Sequence, residues 1–265
     1  MINLKGVHVV FHPGEIIETH ALRGIDLTIK TGEFVTVIGS NGSGKSTLLN
    51  VLSGEVPISE GAITVNDKEV HKLPVHKRAK FISRVFQDPL LGSCADLTIE
   101  ENMILAYNRG NPNSLLFAQN EDSREIFKKQ LSRLNLGLED RLKDKIGQLS
   151  GGQRQAVSLL MASLRPSEIL LLDEHTAALD PKTAEKVLNL TCELISEGQG
   201  TALMVTHSMR QALENGSRTI MLHQGKIVFD VNYEEKAKMK VTDLLDLFSK
   251  NQGEEISDDK LLLGT

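Results

Sequence analysis

This sequence of 265 residues is poor in cysteine: Cys94 and Cys192 stand far apart, with no CxxC and no Cys/His cluster around them. That excludes a disulfide scaffold and a structural zinc site, and fits reduced thiols in a cytosolic setting. Long apolar runs are missing too, because a charged residue interrupts each one well before spanning length. Met1-Ile2-Asn3-Leu4-Lys5 reads as neither a signal peptide nor a lipidation signal. Membrane association is therefore expected to come through a partner. No Lys/Arg-rich stripe follows any helix-like segment and the formal net charge is −5, so nucleic acid is not an expected partner. No internal repeat is present. With 40% hydrophobic residues, the chain can bury a full core as one large domain or as a core with a lobe.

The most informative segment is Gly39-Ser40-Asn41-Gly42-Ser43-Gly44-Lys45-Ser46. It follows Phe34-Val35-Thr36-Val37-Ile38, an apolar run suited to a buried strand, and precedes Thr47-Leu48-Leu49-Asn50-Val51-Leu52, which reads as a helix. A phosphate-binding loop requires that context. Its glycines let successive N–H groups approach phosphates, and the positive end of the next helix adds to the attraction. Lys45 supplies a mobile charge, and the Ser46 hydroxyl is placed to ligate Mg²⁺. The plain alternative is a glycine-rich turn followed by a coincidental Lys-Ser.

Residues up to about Thr64-Val65-Asn66-Asp67 alternate β-rich runs, among them Val7 to Val10 and Gly24 to Ile29, with turn residues. This predicts an antiparallel sheet beside a nucleotide-binding core. From about Asp88 to Arg165 the pattern predicts helices over Ile99–Tyr107, Arg124–Leu136 and Gly152–Leu164. The polar stretch Asn108 to Ser114 reads as a surface loop. Apolar strands then return at Ile169–Leu172, Ala202–Val205 and Thr219–Leu222, an alternation that implies parallel strands buried on both faces. Val241–Phe248 reads as a short terminal helix.

Leu149-Ser150-Gly151-Gly152-Gln153 opens the last of those predicted helices with adjacent glycines. Such a turn presents bare N–H groups and the Ser150 hydroxyl at a positive helix end, which suits a phosphate. Ile169-Leu170-Leu171-Leu172-Asp173-Glu174 is an apolar strand ending in two carboxylates, where the C-terminal end of a parallel strand meets a phosphate-binding edge. In isolation, Asp-Glu after a hydrophobic strand is also what a solvated turn looks like.

With these motifs together the chain resembles the ATP-binding subunit of bacterial ATP-binding cassette (ABC) transporters, from about residue 2 to residue 248. The resemblance implies an α/β fold: a P-loop NTPase parallel-sheet core, an N-terminal antiparallel β subdomain, and an α-helical signature subdomain inserted over about residues 88–165. Residues 249–265 are expected to be an acidic, mobile tail. ATP and Mg²⁺ are the implied ligands. Gly39, Ser40, Asn41, Gly42, Ser43, Gly44, Lys45, Ser46 and Thr47 would hold the phosphates. Ser150, Gly151, Gly152 and Gln153 would serve ATP held by a second copy of the subunit, and Asp180 in Ala178-Leu179-Asp180 would couple the two composite sites.

By the same resemblance Asp173 holds Mg²⁺, partly through water, with Ser46 and Gln87 as further metal contacts, and Glu174 is the general base that orients the attacking water. Gln87, before Asp88-Pro89, matches a glutamine that senses metal and water while its loop touches the transport partner; alone, it would be an ordinary surface residue. His207 matches a histidine that contacts the γ-phosphate, whereas His8, His12, His20, His71, His76 and His223 read as surface or satisfied core groups. Phe11 falls where an aromatic stacks on adenine; the usual tyrosine keeps a hydroxyl that phenylalanine lacks, and the other reading is sheet packing.

One departure concerns His175, which stands where the family usually has proline. Proline would stiffen the turn behind the base; histidine is expected to free it and, on its intrinsic pKa alone, to make hydrolysis depend on pH near 6 to 7. The combination looks like a subgroup associated with substrate-binding lipoproteins and aromatic amino-acid uptake. The implied function is the ATP-hydrolysing subunit of an importer of a small solute, on the cytoplasmic face of the membrane through permease subunits. The alternative class is a soluble ABC ATPase acting on ribosomes or nucleoprotein, which would carry tandem cassettes or a long coiled coil; neither pattern is present. A P-loop kinase or GTPase is opposed by the Gly151-Gly152 signature and by the lack of an Asn-Lys-x-Asp tetrad.

Overall fold

Alternation of inward apolar and outward polar residues makes half-buried strands of β1 (Ile2–Phe11) and β2 (Thr19–Ile29), while the unbroken apolar run of β3 (Phe34–Ile38) makes a strand buried on both faces. The chain continues through α1 (Lys45–Ser53), β4 (Glu60–Val65), β5 (Lys68–Glu69), α2 (Val75–Arg78), β6 (Ile82–Val85), α3 (Ile99–Tyr107) and α4 (Glu121–Ser132). It then runs through α5 (Gly151–Ser163), β7 (Ile169–Asp173), α6 (Pro181–Glu197), β8 (Ala202–Val205) and α7 (Met209–Glu214). The last elements are β9 (Arg218–His223), β10 (Lys226–Val231), α8 (Tyr233–Lys236) and α9 (Val241–Gln252). This computed structural model describes residues 1–110, 121–197 and 200–252. The chain divides into one unit of Met1–Arg78 with Gln199–Thr265 and another of Ala79–Gly198.

In the first unit, β2-β1-β4-β5 form the antiparallel sheet that the N-terminal alternation predicts. Beside it β3 pairs in parallel with both β8 and β9, in register Phe34↔Ala202 to Val37↔Val205 and Val35↔Arg218 to Ile38↔Met221. Strand β10 closes an antiparallel hairpin on β9 through Gln224 and Gly225, both at positive φ. Ile38, Met209, Ala212, Met221, Leu244 and Phe248 form one buried cluster that seats α7 and α9 on this sheet. Arg78 is buried and donates to the carbonyls of Val51 (2.6 Å), Leu52 (3.3 Å), Leu73 (2.8 Å) and His71 (2.6 Å). It thereby satisfies the carbonyl end of α1 that helix geometry leaves open.

In the second unit, β6 and β7 pair in parallel from Ile82↔Ile169 to Val85↔Leu172, accompanied by α3, α4, α5 and α6. Helix α3 has the predicted bounds and begins with a capping box between Thr98 and Glu101. Helix α4 differs from the expected Arg124–Leu136. It starts at Glu121, with Glu121 and Asp122 in its first turn, and stops at Ser132 ahead of Asn135, whose φ is 52°. Helix α5 starts at Gly151 because Ser150 caps it. The terminal helix runs on past Phe248 to Gln252. Of the polar loop expected over 108–114, only 108–110 are described, and the tail from residue 253 lies outside the described residues. Among the described residues no helix is long and apolar enough to cross a membrane.

Candidate functional site

In the first unit, β3 delivers the chain into the glycine-rich loop. A Cβ on Gly39 would lie 2.3 Å from the Leu222 carbonyl oxygen, and one on Gly44 would lie 2.7 Å from that of Ala21. Close approach of the loop to its neighbours, and not only turn geometry, requires glycine at these positions. Gly44 is also the residue before α1, which begins without a side-chain cap, in contrast to the capped α3, α5 and α8. Its leading N–H groups therefore remain available to an anion. The Lys45 ammonium is buried at the mouth of the loop and donates to the carbonyls of Gly39 (2.8 Å) and Ser40 (2.9 Å). Ser46 is exposed in the first turn of α1, with Thr47 beside it, while Asn41 and Gly42 form the exposed tip. Ser43 is 2% exposed, and its buried hydroxyl has no hydrogen-bond partner among the described residues. A buried orphan hydroxyl within a nest of N–H groups is a donor set that fits phosphate oxygens.

Because β8 runs parallel to β3 in register, both strands end at the same edge. His207 leaves that edge just past β8, between Thr206, whose N–H is bonded to Val37 (3.1 Å), and Ser208, which caps α7. Phe11 ends β1 opposite Thr19 and is 36% exposed. Its ring is thus not filled in by sheet packing, and a face remains open for stacking.

The second unit repeats this logic. With β6 and β7 parallel and in register, exposed Gln87 and the pair Asp173-Glu174 leave the same strand ends. Asp173 is 7% exposed, and its Oδ2 accepts from Nη2 of Arg84 at 2.6 Å. A buried carboxylate of this kind fits a hard divalent cation. Glu174 holds φ at 44°, a left-handed conformation that costs a β-carbon-bearing residue about 1 kcal/mol. Such stored strain is concentrated at working sites.

At the head of α5, Ser150 Oγ accepts from Gln153 N (3.3 Å) and Gln153 Oε1 accepts from Ser150 N (3.1 Å). The cap uses the hydroxyl as acceptor and leaves its proton to donate elsewhere. Gln153 contributes here through the cap. Arg154 fixes the approach to this turn by donating to the carbonyls of Ile146, Gly147 and Leu149. The adjacent glycines differ in kind. A Cβ on Gly152 would come 2.6 Å from Thr183 Cγ2 of α6, whereas one on Gly151 would meet nothing within 4 Å. Asp180 caps α6 through Thr183 N (3.1 Å), and the hydrogen bonds from Thr183 hold its carboxyl below the ordinary range.

The sequence pattern of the ABC transporter family matches residues 22–177. The chain belongs to that family. It is 46% identical, over 94% of its own length and 98% of the relative's, to the tyrosine transport ATP-binding protein of Clostridioides difficile strain R20291. It is 37% identical, over 90% of its own length and 96% of the relative's, to the phosphonates import ATP-binding protein of Lactococcus lactis subsp. lactis strain IL1403. Among solved structures it resembles a dimeric ATP-binding cassette in a post-hydrolysis state bound to ADP and Pi. The TM-score is 0.77 and the identity 32%, covering 88% of this chain and 99% of that one. This ABC cassette is an ATPase, and ATP and Mg²⁺ are its ligands.

His175 corrects an expectation. Far from freeing the turn, it is buried at 2% exposure and its Nε2 lies 2.9 Å from Thr191 Oγ1 on α6. Thr191 gives its own proton to the Val187 carbonyl (2.8 Å), so His175 Nε2–H is the donor. Burial lowers its pKa from 6.5 to about 4. It does not titrate near pH 6 to 7, which removes the reason for pH-dependent hydrolysis. Sequence reasoning also missed Thr191 and Arg84. An i, i+4 hydroxyl bond in a helix and an arginine within a strand carry no motif.

Between pH 6.5 and about 4 the unfolded chain binds a proton that the folded His175 refuses, so this contribution to stability is complete above 6.5 and is lost on acidification. Wild type is expected to lose about 3 kcal/mol across that window that His175→Gln does not lose, as read from urea melts at stepped pH. His175→Pro is expected to leave the shape of the ATPase profile unchanged from about pH 6 to 8; a shifted limb would restore the titrating role. Glu174→Gly is expected to abolish hydrolysis while raising folding stability by about 1 kcal/mol, read by single-turnover assay and thermal melt.

Proposed function

We propose that this cassette is the ATP-hydrolysing subunit of a bacterial importer. It acts as a pair with a second copy and through separate permease subunits at the cytoplasmic face of the membrane. The proposed cargo is an aromatic amino acid of the tyrosine type, handed over by a substrate-binding lipoprotein. The observation that carries this reading is the 46% identity to a tyrosine transport ATP-binding protein across 98% of that protein's length.

In this reading Lys45, Ser43 and the loop N–H groups from Gly39 to Thr47 hold the phosphates, and Phe11 stacks on the base. Ser46, Asp173 and Gln87 hold Mg²⁺, which neutralises charge on the phosphates. Glu174 orients the attacking water and accepts its proton, and His207 contacts the γ-phosphate. Ser150 and the bare N–H of Gly151 serve the nucleotide of the other copy, with Gln153 setting the cap and Asp180 linking the two sites. ATP-driven closure would then move permease helices through the segment at Gln87, and hydrolysis would reopen the pair.

Gly151 supports the paired arrangement. Its own fold leaves room for a side chain there, so the space above Gly151 is open to a nucleotide brought by the second copy. Gly151→Ala is expected to leave the melting temperature unchanged and to abolish ATP-dependent dimerisation of a Glu174→Gln background, read by light scattering. Gly152→Ala, which meets Thr183, is expected to destabilise the fold. Equal behaviour of the two variants would count against a composite site. Purifying the tagged chain from native membranes in mild detergent is expected to recover it with a polytopic membrane protein, in a complex whose ATPase activity is stimulated by a tyrosine-loaded lipoprotein. Recovery of ribosomes or nucleoprotein without a membrane partner would overturn the importer reading.

A further inference from the structure

Arg84 lies on β6 directly across from Leu171 of β7, and Asp173 follows on the same face of β7, so the pleat aims the guanidinium diagonally at the carboxylate. Nη2 reaches Oδ2 at 2.6 Å, with both side chains about nine-tenths buried at 9% and 10% exposure. The guanidinium carbon also sits 4.6 Å from the centre of the Phe86 ring, one step before Gln87. The Phe86 carbonyl accepts in turn from Gln155 Nε2 of α5 at 3.0 Å. The cation thus sits between a carboxylate and an aromatic face whose backbone is fastened to the signature helix.

We propose that Arg84 is a positioning residue that sets how strongly the Asp173 carboxylate takes Mg²⁺, by competing with the metal for that carboxylate. The inference rests on the reading of Asp173 as the metal holder. Its sign follows from electrostatics. A carboxylate that already shares its charge with a guanidinium is a weaker ligand. Two cations at one buried carboxylate repel each other with little screening from solvent. Removing the guanidinium leaves a desolvated carboxylate unpaired, which sharpens its demand for a cation. Stacking on Phe86 lets Arg84 yield the carboxylate without losing its own packing.

The test is a ratio of dissociation constants: that of a non-hydrolysable ATP analogue in EDTA divided by that in excess Mg²⁺, measured calorimetrically on the full chain. A purely structural role for Arg84 would shift both constants alike and leave the ratio unmoved. Arg84→Met is expected to raise the ratio about fivefold or more. Arg84→Gln, which keeps a hydrogen-bond donor without the charge and guards against a folding failure, is expected to do the same, while Arg84→Lys stays near wild type. An unchanged or lowered ratio in both neutral variants, with Asp173→Asn collapsing it, overturns the role of Arg84 and keeps Asp173 as the metal holder. A wild-type ratio in Asp173→Asn overturns the metal-holder reading, and this inference with it.

Discussion

Register is the constraint on which the first unit depends, and a buried hydroxyl pair holds it. Thr36 and Thr219 stand opposite each other across β3 and β9, with their Oγ1 atoms 2.8 Å apart and neither side chain exposed. Both oxygens lie 3.1 Å from the Ala212 carbonyl of α7. A slip of one residue would leave these hydroxyls unsatisfied in the core, at about 1 to 3 kcal/mol each. It would also move the end of β3, and with it the loop whose glycines touch Leu222 and Ala21. A polar pin in an apolar sheet is therefore what aims the phosphate loop.

The fold was most legible where one signal acted alone. Phe34–Ile38 and Ala202–Val205 are short apolar runs with turn residues at either side, and both are strands with the bounds the pattern predicts. Ile99–Tyr107 carries its own cap and matches too. The strand–helix alternation did not specify α6, although Val187, Leu190, Thr191 and Ile195 line its buried face at helical spacing. Strand β10 was hidden because its turn is Gln224-Gly225 and lacks the Asn-Gly or Asp-Gly that marks such hairpins. Helix ends were least legible, since Asn135 ends α4 by a backbone conformation that a periodicity count does not register.

The site divided along a similar line. Lys45 at a helix start was picked out by the glycine-rich loop before it, and Asp173 at a strand end by its place there together with the family resemblance. Residues that act through a partner distant in sequence were not picked out. Arg84 meets Asp173, Arg78 meets Val51, and Gly152 meets Thr183 only after folding. The two signature glycines look equivalent in sequence and answer to different demands. One is fixed by packing within the chain, the other is not.

His175, where the family resemblance leads one to expect proline, shows how a distant contact can do a local task. Proline restrains φ by its own ring and needs no neighbour. His175 restrains the same turn by a buried hydrogen bond to Thr191, so the conformation of Glu174, strained at φ 44°, depends on where α6 lies. That helix begins at the Asp180 cap and receives Gly152 of α5 against Thr183. The turn is thus tethered and not stiffened by a ring, with the strained carboxylate, the cap and the signature glycine all fastened to a single helix. A displacement of α6 would bear on all of these groups together, whereas a proline behind Glu174 would leave the carboxylate's turn to its own restraint.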